Sequence, residues 1–136
     1  MSIAVKEIII NKFNGYGNDI DIPLMNGGKT FKAMAIENGI VVSNLDKQPL
    51  LQWDVFYGTI ELLSGKIDKK ASKGDAMGCR LGDDGLLFDS VEGYIAEKVY
   101  GKAIGDSVFR RITPIAAVLS YCNIVINGRG FLELVE

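Results

Sequence analysis

The sequence predicts an α+β fold: an N-terminal antiparallel β meander of about four strands, then a lobe of three helices ending in a β-hairpin. Three observations carry this prediction. Up to residue 48, short apolar runs rich in β-branched residues are separated by glycine-bearing turns. After Pro49 the apolar spacing changes to threes and fours, the period of a helix, and after Cys122 it returns to two. At 136 residues the chain is one compact unit, divided into a β lobe over residues 1–48 and a helical lobe over 49–136.

Four strands are expected first. Lys6 to Phe13 contains the run Ile8-Ile9-Ile10, whose branched Cβ atoms suit a pleated surface. Asp19 to Met25 alternates Ile20, Ile22 and Leu24 with Asp19, Asp21 and Pro23, and Lys29 to Glu37 and Ile40 to Leu45 follow. Asn26-Gly27-Gly28 and Asn38-Gly39 are short hairpin connectors, because Asn and Gly tolerate positive φ. Links this short favour an antiparallel meander. Gly15-Tyr16-Gly17 could suggest a phosphate loop, but such a loop needs a helix after it and a strand pattern follows, so it reads as a turn.

Leu50 to Ser64 reads as a core helix. Trp53, Phe56, Tyr57, Ile60 and Leu63 form its apolar stripe, and Gly65 stands where a left-handed C-cap is wanted. Residues 66–88 are irregular, with Lys66, Lys69, Lys70 and Lys73 at one end and four glycines through the rest. Asp54 with Asp68-Lys69-Lys70 superficially suits a metal-dependent nuclease, but that chemistry needs the acids on neighbouring strands. Asp83-Asp84-Gly85 lacks the alternating oxygen ligands of a calcium loop and reads as a turn.

The next helix begins at Asp89 or Ser90, with Glu92 as the reciprocal half of a capping box. Val91, Ile95 and Val99 face inward, Gly93 suggests close packing, and Gly101 ends the element. A turn through Gly105 leads to a third helix over Ser107 to Cys122. Pro114 raises a choice there between a kinked helix and a fresh start at Thr113-Pro114. The stripe Val108, Ile112, Ile115, Leu119 runs across the proline and favours a single kinked helix, with Arg110, Thr113, Ala117, Ser120 and Tyr121 on the opposite face. Ile124 and Ile126, then Phe131, Leu132 and Leu134, flank Asn127-Gly128-Arg129-Gly130 as a closing hairpin.

Composition excludes several function classes. The chain has no histidine, so imidazole catalysis and the usual zinc patterns are out, and Cys79 and Cys122 read as buried apolar groups. A net charge of −2 and a pI near 5.2 give no global pull toward nucleic acid or an anionic membrane. No apolar run approaches the roughly 20 residues that span a bilayer. A reduced, cytoplasmic protein without cofactor, metal or catalytic constellation is expected.

The order helix, turn, helix, hairpin over residues 90–135 resembles the winged helix-turn-helix superfamily, in which a support helix backs a recognition helix and the hairpin is a wing. Ser90 to Tyr100 matches the support helix, Gly101 to Asp106 the turn, Ser107 to Cys122 the recognition helix and Asn127 to Gly130 the wing tip. The resemblance implies a DNA-binding module with a regulatory role, contacting double-stranded DNA through Ser107, Arg110, Arg111, Thr113 and Arg129. Lys69, Lys70 and Lys73 add positive charge, and the β lobe would support a homodimer. The alternative is a protein-interaction or homodimerisation domain.

Overall fold

The fold is described from a computed structural model covering residues 2–25, 27–45 and 47–135. It is α+β, with four helices, a four-stranded sheet and a three-stranded sheet among the described residues. Helix α1 (Ser2–Lys12) precedes strands β1 (Ile20–Pro23), β2 (Thr30–Ile36), β3 (Gly39–Val42) and β4 (Leu50–Gln52). These pair antiparallel in chain order, so the expected meander forms.

Its composition differs from expectation at both ends. Lys6 to Phe13, expected as a strand, lies in α1 and its C-terminal turn. Val5, Ile9 and Phe13 recur every four residues and are buried, whereas Ile8 is 45% exposed, so burial follows the helical period and overrides the β preference of the isoleucine run. Asn14, at φ +60°, and Gly15 close α1 as a Schellman turn: Gly15 N–H donates to the Ile10 carbonyl and Asn14 N–H to that of Asn11. The turn containing Gly15 and Gly17 therefore follows a helix. At the other end, β4 occupies residues expected to be helical and runs directly into α2 (Trp53–Ser64).

Within the sheet, Phe31, Ala33 and Ala35 of β2 are buried while Thr30 and Lys32 face solvent, the alternation of a half-covered sheet. Glu37 and Asn38 form the β2–β3 turn, one residue earlier than expected. Gly39 opens β3, where a Cβ would run into the Leu51 carbonyl of β4. The Asn26-Gly27-Gly28 connector has Asn26 outside the described residues, and Gly27 and Gly28 both take positive φ.

Helix α2 is the expected core helix. Trp53 is 7% exposed and its indole N–H donates to the Glu37 carbonyl, which ties α2 to the β2–β3 turn. Gly65 caps α2 in a right-handed conformation, φ −79°, so the left-handed cap is not formed. The irregular stretch after it contains β5 (Lys70–Ser72). Helices α3 (Val91–Lys98) and α4 (Ile112–Tyr121) follow, then β6 (Val125–Asn127) and β7 (Phe131–Leu134). The second sheet has the order β5-β7-β6, so the closing hairpin gains a third strand from between α2 and α3.

The third helix is shorter than the single kinked helix expected over 107–122. It begins at Ile112, which places Pro114 in the first turn, where a backbone N–H has no partner inside the helix. Residues 107–111 are not helical. At its far end Asn123, φ +61°, closes α4 through a second Schellman turn, Ile124 N–H donating to the Leu119 carbonyl. Helix α4 is almost wholly buried, Ala117 included, because β1 packs against it on one side and β6 on another.

The main core is continuous from α1 through both sheets to α4. A satellite of Leu81, Leu86, Ala96 and Val108 orders the long loop before α3. No helix among the described residues is long and apolar enough to cross a membrane.

Candidate functional site

Two places bring together polar side chains distant in sequence. The first is a groove of about 240 Å³ along the first turns of α4, lined by Leu24, Met25, Lys73, Arg110, Thr113 and Asn127 among others. Lys73 enters from the end of β5, where Lys73 N–H donates to the Gly130 carbonyl and its own carbonyl accepts from Glu92 N–H. Arg110 enters from the non-helical segment before α4. Partial burial, and then the Arg110 charge, push the Lys73 ammonium below its ordinary pKa. Two cations held close, with no carboxylate of the described residues lining the groove, make a local positive site on an acidic protein. Each sits against a thioether: Lys73 Nζ is 3.5 Å from Met25 Sδ, and Arg110 Nη1 is 3.0 Å from Met77 Sδ.

The second place is built on Glu92 and Arg111. Ser90 caps α3 by accepting from Gly93 N–H at 3.1 Å, so Glu92 is the second helical residue and cannot fold back as half of a capping box. It turns across to α4 instead. Glu92 Oε2 accepts from Arg111 N–H at 2.6 Å and Ile112 N–H at 2.8 Å, capping α4 from a neighbouring helix. Glu92 is 1% exposed, and burial pushes its carboxyl up to about 7 against the opposing pull of the two N–H donors and of Arg111 and Arg110. The other carboxyl oxygen, Oε1, has no hydrogen-bond partner.

Arg111 is 5% exposed. Its Cζ lies 3.8 Å from the centroid of the Tyr100 ring and 5.0 Å from that of Phe109. Nη1 donates to the Phe109 carbonyl and Nη2 to Gln48 Oε1 at 2.6 Å, while Nε has no partner. Arg111, Gln48, Tyr100, Phe109, Lys102 and Ser107 are among the residues lining a cleft of about 490 Å³.

The residues nominated from sequence therefore divide. Lys73, Arg110 and Thr113 converge on the groove. Arg129 is exposed at the β6–β7 turn, and Lys70 lies on the same sheet with Nζ 4.9 Å from the Phe131 ring centroid. Lys69 donates to the Ser64 carbonyl at 2.8 Å and so caps the C-terminal end of α2. Ser107 and Arg111 belong to the other cleft, and the burial of Arg111 takes it off the surface. Sequence reasoning missed Glu92 as a cap for α4 and the part played by Gln48 and Tyr100. For Glu92, the only signal was its place two residues after Ser90, one short of a capping box.

The remaining polar candidates are occupied locally. Asp68 accepts from Lys70 N–H and Asp83 from Arg80 N–H, each closing a turn. Burial pushes the Cys122 thiol up to about 12, the opposite of an activated nucleophile. No family model, curated protein or solved structure matches the chain.

Proposed function

We propose that the chain is a nucleic-acid-binding module of winged-helix type that acts by binding rather than catalysis and contacts duplex DNA through phosphates. The observation that carries this is the convergence of Lys73 and Arg110, from separate elements, on one groove beside the first turn of α4. A neighbouring like charge disfavours the charged form of Lys73, and a phosphate between the two cations relieves that repulsion. The sheet order β5-β7-β6 adds support. A two-stranded hairpin is marginal alone, and the third strand makes it a firm wing carrying Lys70 and Arg129.

The contact is sequence-tolerant rather than base-reading. Helix α4 offers solvent only part of Thr113, Ser120 and Tyr121, and the Leu24–Met25 turn stands across its groove. Phosphate contacts position a protein on DNA without reading sequence, and that is the mode open to these side chains. A gel shift at low salt tests this. Duplexes of unrelated sequence should be retained equally and released as salt rises; retention of none would end the proposal.

A second reading, a protein-interaction domain, is favoured by one feature of the same groove. Met25 in the groove lining and Met77 against Arg110 are 53% and 75% exposed, an adaptable apolar surface beside two cations that suits an acidic, apolar partner segment or a second copy of the chain. Light scattering of the isolated protein tests the second copy: a dimer supports it and a monomer at all concentrations removes it.

A further inference from the structure

The cleft beside Arg111 has features that the packing of the fold does not use. A buried guanidinium normally faces a carboxylate, yet no ion pair to Arg111 is present among the described residues, and Glu92 spends its bonded oxygen on the α4 backbone. Tyr100 and Phe109 flank the guanidinium, which leaves its edge as the direction in which it can donate. On that edge the acceptor at Nη2 is Oε1 of Gln48, a solvent-exposed side chain 63 residues away, at 2.6 Å. A neutral amide oxygen so close to a buried cation occupies the place a charged oxygen would hold more strongly. Nε, on the same planar group, is buried without a partner among the described residues.

The surroundings of that edge point the same way. Lys102 and Ser107, both exposed, lie among the cleft's lining residues, and no Asp or Glu among the described residues does. At about 490 Å³ the cleft falls within the range of small-molecule sites. It is separate from the Lys73–Arg110 groove, with no residue common to the two linings.

We propose that this cleft binds an oxyanion, the carboxylate or phosphate group of a small molecule. Arg111 receives it at the position held by the Gln48 amide oxygen, with Lys102 and Ser107 completing the contact. Occupancy would bear on the segment between α3 and α4, because Tyr100, Phe109 and Arg111 belong to the ends of that connection.

The test is thermal denaturation of the full chain titrated with inorganic phosphate and, separately, with acetate, at constant ionic strength maintained with chloride. A saturable rise in melting temperature with either anion is expected. A response to phosphate alone assigns a phosphate-bearing ligand, and one to acetate alone a carboxylate. Gln48→Glu, at an exposed position, supplies the carboxylate from the chain itself and should abolish the response while keeping the fold. Lys102→Ala should weaken it about three- to tenfold. Arg110→Ala, in the other groove, should leave it intact. The proposal is overturned if neither anion gives a saturable shift, if Gln48→Glu responds like the parent protein, or if Arg110→Ala abolishes the effect.

Discussion

Glu92 gives the sharpest test of how the helical lobe is assembled. Its carboxylate satisfies two N–H groups at the start of α4, yet burial raises its pKa from an ordinary 4.5 to about 7. A carboxyl whose folded pKa lies above its unfolded value binds its proton more tightly in the folded state. Its contribution to stability is therefore complete below about 4.5 and is lost as pH rises through about 7. At 1.36 kcal/mol per pH unit the difference corresponds to about 3 kcal/mol of stability lost across that window. Arg111 and Arg110 are the charged groups facing it.

Glu92→Gln keeps an oxygen acceptor for both N–H groups and removes the titration. Urea unfolding of both proteins at about pH 4.5, 6 and 8 should show the parent losing stability relative to the variant by about 3 kcal/mol. Glu92→Ala, by contrast, orphans two buried N–H donors and should cost about 2–6 kcal/mol. A parent-minus-Gln difference that does not change between the lowest and highest pH would refute the reasoning.

Two further substitutions test the fold. Ile9→Ala should destabilise by about 2–5 kcal/mol and Ile8→Ala by less than about 1 kcal/mol, because Ile9 is buried and Ile8 is not; equal losses in chemical denaturation would contradict a helix there. Gly93→Ala adds helix propensity worth up to about 1 kcal/mol, but its Cβ would meet the Leu87 carbonyl. The net effect on the unfolding midpoint should be destabilising, by about 1–3 kcal/mol, and a stabilised variant would show that α3 does not pack as described.

The legible parts of the fold are those whose signals are local. Strands β1 to β3 followed from alternation and short turns, and α2, α3 and the closing hairpin from period, with Ser90 as the one cap read correctly. Residues 6–13 were misread because two local signals competed. Ile8-Ile9-Ile10 favours a strand, while Val5, Ile9 and Phe13 mark one helix face, and burial of that face decided the outcome. The start of α4 was misplaced for a different reason. Val108 falls on the same helical stripe as Ile112, but it belongs to the satellite core under the long loop, so the apparent continuity joins two separate packing sites.

Strand β5 has a single buried residue, Ala71, and exists through pairing with β7 some sixty residues later, which leaves no periodic trace. The candidate sites are less legible still. Basic residues could be nominated from position, but whether each faces a groove, caps a helix or is buried depends on contacts between distant segments. Arg110 and Arg111 are adjacent in sequence and end in different clefts, on a segment, residues 107–111, that is not helical.

On the reading proposed above, Lys73 and Arg110 form a phosphate-binding pair. Fluorescence anisotropy of a labelled duplex, titrated with the parent protein and with Lys73→Ala and Arg110→Ala across a salt series, tests it most directly. Each substitution should weaken binding to unrelated duplexes equally and reduce the slope of log affinity against log salt by about 1. Unchanged affinity and slope in both variants, or no binding by the parent protein at the lowest salt, would contradict it.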